Sequence, residues 1–514
     1  MSRPNVLVLM SDEHNPRFLE HRGEPVQTPT LSGLATDGVE FTNAYCPYPI
    51  CAPARKCMLT GRTAPNCGAV GNAISYGPDE ETLVARIRDA GYTTCLVGKM
   101  HFNGHRQFNG FGHRPYGDLT GHGIQQPGHQ PDPIHYDDLD VQPRRQAIDT
   151  GTRIPSAGIT QIPESLLQEQ VVARETIAWL REHVSRSEDP WLLTASFSRP
   201  HFPLTAPRRH VARYWDFDAD EPTDRLTDPA ISREEGVEHP WVRNRQKRFE
   251  AFTDHELAKA RACYFACVDF LDEIIGELMD TLAAEGFLED TIIVYTSDHG
   301  DMAGEHGLWW KSTFHEGSAG IPFSIQLPGH RDGTLAPATI ETPVSLIDLF
   351  PTLCGLLEEP VPDDVDGVDL SAAVEAGREP DREPVLCDNV GTYRLVREDR
   401  FKYVAFADGP ELLFDLETDP KETTNLAADA DEHTAVLDRL RGHVGDVLDD
   451  DVVATAREEA RTLADEQALG IPPGTGNAYV MPDGRLIDAG TPLYKPDVLA
   501  DDPSRVFVDW PDRG

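Results

Sequence analysis

The first strong signal in the chain is an unbroken apolar run, Val6-Leu7-Val8-Leu9-Met10, preceded by Asn5 and halted at Ser11-Asp12-Glu13-His14. Such a run, without polar alternation, predicts a strand buried on both faces, as in a parallel sheet, with acidic residues at its carboxyl end. Thr28-Pro29 predicts a helix start, threonine as N-cap and proline as first helical residue, running through Ala35. Val39 to Tyr45 alternates like a strand, Pro78 to Gly91 reads as a helix stopped by glycine, and Tyr92 to Val97 reads as a second buried strand. That strand delivers Gly98-Lys99-Met100-His101. From Phe102 to about Gly158 the chain is rich in Gly, Pro, Asp and His and shows no period, which predicts a long irregular excursion. A helix from about Glu164 to Arg186 follows, then a strand Trp191 to Phe197 and the turn Ser198-Arg199-Pro200-His201. A second irregular, acidic stretch covers about Asp216 to Glu250. Thr253-Asp254 opens a long helix to about Glu285, and a strand Thr291 to Thr296 delivers Ser297-Asp298-His299-Gly300-Asp301.

Strands alternating with helices over roughly 360 residues predict an α/β fold: a large, mostly parallel sheet sandwiched by helices. Beyond Leu357 the texture changes. Short strand-like runs at Val385–Asn389, Tyr393–Arg397, Phe401–Phe406 and Leu412–Leu416, with a helix near Thr434–Val447, predict a smaller C-terminal antiparallel sheet plus helix. The expected division is a catalytic α/β domain over 1–380 and an α+β subdomain with a surface tail over 381–514. Asp449-Asp450-Asp451 reads as a solvated segment past a helix end.

Composition narrows the picture. With 39% apolar and 26% charged residues among 514, wholesale disorder is excluded. The formal net charge is −41, from 87 Asp+Glu against 46 Lys+Arg, so a nucleic-acid partner is not expected. Only eight of the basic residues are lysines, a balance similar to that of proteins from salt-loving organisms. No apolar run approaches the roughly 18 residues of a membrane span, and the N-terminal segment does not read as a secretory signal. No membrane partner and a cytoplasmic location are therefore expected. Nine cysteines, an odd number, argue against a disulfide framework. Cys263 and Cys267, one helical turn apart, read as buried helix-face residues.

In an open α/β sheet, ligands sit beyond the carboxyl ends of the strands. Strand ends here deposit Asp12-Glu13, Lys99-Met100-His101, His201 and Asp298-His299. A lone Asp at such a place is more often an ordinary turn residue, but several carboxylates and a histidine converging at one edge would repel one another unless a divalent cation joined them. Cys51 precedes Pro53 at a helix start, where free N–H groups and the positive dipole end suit an anion. Arg55, one turn on, can fork towards an oxyanion at that position.

The segment Cys51-Ala52-Pro53-Ala54-Arg55-Lys56-Cys57-Met58-Leu59-Thr60-Gly61-Arg62 resembles the active-site signature of sulfatases, members of the alkaline phosphatase-like superfamily. The second sulfatase signature is matched by Gly91-Tyr92-Thr93-Thr94-Cys95-Leu96-Val97-Gly98-Lys99-Met100-His101. The likeness runs from residue 4 to about 425, closing on Leu413-Phe414-Asp415-Leu416, Asp419-Pro420 and Asn425-Leu426. The Asp298-His299 pair and Gly98-Lys99-Met100-His101-Phe102 are similar to the choline sulfatase and phosphonate monoester hydrolase branch. The resemblance implies that Cys51 is oxidised to formylglycine, whose hydrate is the nucleophile, and hence that a formylglycine-generating enzyme acts on the chain. It implies that Asp12, Asp298, His299 and the Cys51-derived hydroxyl hold one divalent metal, with Glu13 a weaker ligand. Calcium is expected first; a nitrogen ligand also suits manganese or zinc. Arg55 and Lys99 would stabilise the hydrate, and His101 would take the proton whose loss expels sulfate. His201 and Lys311 would grip sulfate and assist the leaving alcohol, and Asn72 would contact the hydrate or sulfate. The implied activity is hydrolysis of a small-molecule or saccharide sulfate ester. A phosphonate monoester or phosphodiester hydrolase with the same site, and a non-catalytic metal-binding homologue, are the alternatives.

Other residues carry quieter readings. His105, His113, His122, His129 and His135 are expected to be solvent-facing loop residues. Trp309-Trp310 beside Lys311 offers either an aromatic wall for a cation such as choline or ordinary core packing. A homo-oligomer is left open.

Overall fold

The computed structural model describes residues 3–72, 74–77, 79–103, 106–117, 153–227, 232–468, 478–480 and 486–488. The main elements, in chain order, are β1 (Asn5–Asp12), α1 (Pro29–Thr36), β2 (Val39–Phe41), β3 (Ala44–Tyr45), α2 (Cys51–Thr60), α3 (Leu83–Asp89), β4 (Thr93–Gly98), β5 (His113–Tyr116), α4 (Gln168–Val184) and β6 (Trp191–Pro200). They continue with α5 (Pro240–Gln246), α6 (Asp254–Ala284), β7 (Thr291–Ser297), β8 (Phe323–Gln326), β9 (Ala338–Ile340) and α7 (Leu349–Leu356). The C-terminal elements are β10 (Val385–Asn389), β11 (Tyr393–Glu398), β12 (Phe401–Phe406), β13 (Leu412–Asp415), α8 (Ala430–Arg441) and α9 (Asp450–Ala468).

The large sheet has eight strands in the order β9-β2-β8-β7-β1-β6-β4-β5. β1 lies parallel to both β7 and β6, β4 is parallel to β6 and β5, and β8 runs antiparallel to β7 and β2. The continuous apolar run of β1 is explained by cover on both faces. Leu7 and Leu9 pack with α1, α4 and α6, while Val6, Val8 and Met10 pack with α2, α3 and α7. The second sheet, β10-β11-β12-β13, is an antiparallel meander. One of its faces, through Cys387, Leu395 and Phe414, joins the core beneath α2; the other, through Val396, Tyr403 and Leu413, is covered by α8.

Several expectations need correction. The stretch Val39 to Tyr45 is two strands in different sheets, because Thr42 and Asn43 hydrogen-bond to Ile340 and Glu341 and turn the chain between them. Thr28 does not cap α1 with its side chain; its hydroxyl accepts from Glu20, and the buried Asp272 carboxylate accepts the Thr30 and Leu31 N–H groups instead. α3 starts only at Leu83, capped by the Thr82 side chain. The acidic stretch 216–250 contains α5, and the helix expected near Thr434–Val447 is α8, at Ala430–Arg441. Asp449 accepts N–H groups from Asp451 and Val452, so the acidic triplet opens α9 rather than trailing a helix. His113 is exposed, as expected, but it belongs to β5 rather than a loop, and its ring edge meets Trp179. His105, His122, His129 and His135, and most of the tail, lie outside the described residues. Cys263 and Cys267 are fully buried in α6, as expected. Among the described residues no helix is long and apolar enough to cross a membrane.

Candidate active site

Four carboxyl-end segments meet at one edge of the large sheet. β1 ends at Asp12-Glu13, β4 leads into Lys99-Met100-His101, β6 ends just before His201, and β7 ends just before Asp298-His299. Gly98 allows the exit from β4: its φ of +95° is left-handed, and a Cβ there would stand 2.1 Å from the Ser196 carbonyl oxygen. Glu13 also adopts a positive φ, 67°, which aims its N–H at Asp298 Oδ1, 3.1 Å away. His201 N donates to the Asp12 carbonyl oxygen, tying β6 to β1.

α2 brings the remaining groups. Its first residue is Cys51, and the Ala52 N–H donates to Asn72 Oδ1 at 3.2 Å, which sets Asn72 against the first turn of α2. Cys51 Sγ lies 3.1 Å from Lys311 Nζ, 3.3 Å from His299 Nε2 and 3.7 Å from Asp12 Oδ1, and His101 and His201 also hydrogen-bond to it. Burial alone would push the thiol up, but Lys311, Lys99 and His299 outweigh it and hold the Cys51 pKa well below the ordinary thiol range.

Arg55 differs from expectation. Its guanidinium turns towards the carboxylates: Nη2 is 2.8 Å from Asp12 Oδ2 and Nε 2.8 Å from Asp298 Oδ2. Nη1 donates to the Lys99 carbonyl and to Ser196 Oγ. Lys99 Nζ is 2.9 Å from Asp12 Oδ2, and all four of these charged side chains are completely buried. Arg55 therefore fixes the two aspartates rather than forking to the group at position 51.

The donor set fits a divalent cation. Asp12, Cys51, Asp298 and His299 offer ligand atoms all within 4.8 Å of one another, and Asp12, Glu13 and His201 form an adjoining group. His299 Nδ1 lies 3.0 Å from the Gly300 carbonyl oxygen, so it carries the proton and leaves the Nε2 lone pair facing Asp298 and Cys51. Burial would lower the His299 pKa, yet the Asp298 carboxylate and Cys51 carry it up to about 9, and a cation bound at Nε2 would take the place of that second proton. Glu13 Oε1 is buried without a hydrogen-bond partner, while Oε2 is 3.0 Å from Lys311 Nζ and 3.4 Å from His201 Nε2; burial pushes the Glu13 carboxyl up to about 8. His201 is pulled down to about 3 by burial, Lys311 and Lys99. Two groups that the sequence reading did not use complete the frame. Ser196 braces Arg55, and Asp301 accepts N–H groups from Ala303 and Trp310, pinning the loop that carries Lys311.

A cavity of about 210 Å³ opens beside Lys311, Ile50 and Asn72. Trp309 and Trp310 line it, but both are nearly buried and belong to the core around α6.

A parallel α/β sheet with carboxylates, histidines and lysines around one nucleophile position defines an alkaline phosphatase-like hydrolase of tetrahedral oxyanion esters. The family model "Sulfatase" matches residues 4–359, and "N-sulphoglucosamine sulphohydrolase, C-terminal" matches 304–449. The chain belongs to the sulfatase family and is a sulfuric ester hydrolase. It is 35% identical over 448 residues to a choline-sulfatase of Rhizobium meliloti (strain 1021), covering 83% of this chain and 82% of that protein. It is also 30% identical over 445 residues to an ulvan-active sulfatase of Formosa agariphila, covering 83% and 77%. Among solved structures it resembles the phosphonate monoester hydrolase of Agrobacterium radiobacter, with a TM-score of 0.65 and 25% identity over 95% of this chain and 99% of that one.

Proposed function

We propose that the chain hydrolyses a sulfate monoester through a nucleophile at position 51, matured from Cys51 to formylglycine by a formylglycine-generating enzyme. The observation that carries the reading is the setting of the Cys51 side chain: at the head of α2, within 3.7 Å of Lys311, His299 and Asp12. The resident ion is proposed to be calcium held by Asp12, Asp298 and His299, with Glu13 adjoining; manganese and zinc are the competitors because one ligand is nitrogen. Such an ion would lower the pKa of a hydroxyl at position 51 and hold it in line with sulfur.

The chain's own groups then have distinct tasks. Arg55 and Lys99 hold Asp12, and Arg55 holds Asp298, so the carboxylates cannot swing away. Lys311, kept charged by Glu13 and the group at 51, sits where sulfate oxygens gather charge in the transition state. His201 lies against Glu13 and Asp12 and is placed to assist the departing alcohol; His101, hydrogen-bonded to position 51, takes the proton whose loss releases sulfate. Asn72 joins the end of α2 to the cavity and borders the substrate.

The second reading, a phosphonate monoester hydrolase, is favoured by the likeness to the Agrobacterium radiobacter structure along nearly the whole chain. Comparing kcat/KM for 4-nitrophenyl sulfate and for an aryl phosphonate monoester, on protein matured in cells that make the aldehyde, decides between them. A higher value for the sulfate supports the first reading; a higher value for the phosphonate replaces it with the second.

A further inference from the structure

The cavity beside Lys311 is lined by Ile50, Asn72, Phe249, Leu308, Trp309, Trp310, Ser312 and Thr313, together with Arg153, Arg245, Arg248 and Lys311. Among the described residues that line it, four are cationic and none is acidic, in a chain where 87 of 514 residues are Asp or Glu. Chance placement on so acidic a protein would give the opposite balance.

The arginines are also held in an unusual way. Arg245 comes from α5, and its guanidinium lies over the Trp241 ring at 4.2 Å. Among the described residues neither Arg245 nor Arg248 has a carboxylate within ion-pair distance. Burial disfavours the charge on Arg245 and outweighs the opposing effect of Tyr393, and the neighbouring Arg248 disfavours the charge further. Arg153 stacks on Phe202 at 3.5 Å and reaches Trp310 at 5.5 Å. Stacking on Trp241 fixes the plane of the Arg245 guanidinium and leaves its N–H edges to grip a carboxylate or sulfate with two hydrogen bonds. Arg245 is half-buried and Arg248 exposed beside it, so an arriving anion would meet two neighbouring cations, one of them partly shielded from water.

The same contacts work against a cationic substrate. A quaternary ammonium is recognised by open aromatic faces, usually with a carboxylate nearby. Here Phe202 already faces both Arg153 and Lys311, and Trp310 faces Arg153. Trp309 and Trp310 are tilted by 54° and packed in the core, so they make no cage.

We infer that the alcohol portion of the substrate carries a second anionic group, a carboxylate or another sulfate, that docks against Arg245 and Arg248. The substrate class is thus a polyanionic sulfate ester such as an acidic saccharide, and a choline-like ester is a poor fit. This rests on the sulfatase reading but concerns a different part of the molecule. The alcohol-side anion is bound by α5 and its flanking residues, whereas the ester is held at position 51.

The test uses the matured, metal-loaded full chain and three kinds of ester. These are choline sulfate, a set of monosulfated disaccharides containing a hexuronate, each paired with its uronate methyl ester, and a disulfated neutral disaccharide paired with its monosulfate. The expected result is a kcat/KM at least tenfold higher for the free uronate than for its methyl ester, or for the disulfate than for its monosulfate. Which of the two pairs shows the advantage identifies the second anion. That advantage falls towards one in Arg245→Gln and Arg248→Gln, while Lys247→Gln, an exposed residue outside the cavity lining, retains it. Because each variant is read as a ratio of two substrates, loss of folded protein does not imitate the effect. Choline sulfate outperforming every anionic saccharide, or a ratio near one in the wild type, overturns the inference. Calorimetric binding of the uronate disaccharide to Cys51→Ala protein separates the two layers. Binding weakened at least tenfold by Arg245→Gln, with no ester hydrolysed by wild type, would sink the sulfatase reading and leave the anion pocket standing. Binding indifferent to both arginines would sink the pocket.

Discussion

Replacing Arg55 by methionine removes a cation of similar length from a point with no access to water. The guanidinium makes two 2.8 Å contacts, to Asp12 and Asp298, and further hydrogen bonds to the Lys99 carbonyl and Ser196. Deleting one partner of a buried ion pair costs about 3–5 kcal/mol, because the remaining charge stays buried without compensation. Asp12 keeps the Lys99 charge at 2.9 Å, whereas Asp298 keeps the Glu13 and His299 N–H groups and the His299 ring at 3.7 Å, so the loss falls mainly on Asp298 and, with those hydrogen bonds retained, lies near the lower end of that range. A divalent cation would supply the missing charge at the same two carboxylates. Urea unfolding followed by tryptophan fluorescence is therefore run twice, with chelator and with saturating calcium. In chelator Arg55→Met loses about 3 kcal/mol relative to wild type; in calcium the deficit shrinks by half or more, since the variant gains more from the ion than the wild type does. A deficit below about 1 kcal/mol in chelator would refute the clamp. A deficit indifferent to calcium would refute the placement of the cation between Asp12 and Asp298.

Other expectations can be checked alongside. Lys311→Ala should lower kcat on 4-nitrophenyl sulfate by about 10²–10³, the usual effect of removing one charge-stabilising donor, measured by steady-state kinetics on folded protein. His101→Ala should preserve the first-turnover burst of alcohol while slowing steady-state turnover by about 10²–10⁴, seen by stopped flow; loss of the burst itself would assign His101 to the first step instead. Gly98→Ala should destabilise the fold by at least about 1–3 kcal/mol, since it combines a positive φ with a backbone clash, and should lower soluble yield. Far from the site, burial would raise the Glu40 carboxyl, but its hydrogen bond from His21 and the Arg22 guanidinium outweigh that and take it down to about 2. The sign follows from linkage: a carboxyl lowered on folding contributes stability above its unfolded value of about 4.3 and loses it as pH falls towards 2. The melting-temperature advantage of wild type over Glu40→Gln should accordingly be full at pH 6 and shrink steadily below pH 4.

The legibility of the site followed from where its chemistry lies. Asp12, Lys99, His101 and Asp298-His299 each stand at the end of a strong apolar run, so a sheet with parallel neighbours had to gather them. Cys51 was legible because proline two residues later marks a helix start. Arg55 was harder: its partners are set by how α2 lies across the ends of β1 and β7, a tertiary fact that no local spacing encodes. The three arginines of the cavity were hidden for another reason. Arg245 and Arg248 occur in Arg243-Asn244-Arg245-Gln246-Lys247-Arg248, a basic run inside a stretch whose acidic average suggested an irregular loop. Reading that run for itself, after Pro240, would have found α5. The same lesson holds for Asp449-Asp450-Asp451, where the helical period downstream identified a helix start that the charge run concealed. Breaks such as that between β2 and β3 depended on partners almost 300 residues away and were beyond local pattern.

The most direct measurement of the central claim is mass spectrometry of the peptide containing residue 51, made on several preparations of graded specific activity. The account predicts a mass corresponding to the aldehyde, with the converted fraction rising in proportion to sulfate ester turnover. Full activity from protein whose residue 51 remains an intact thiol would contradict it.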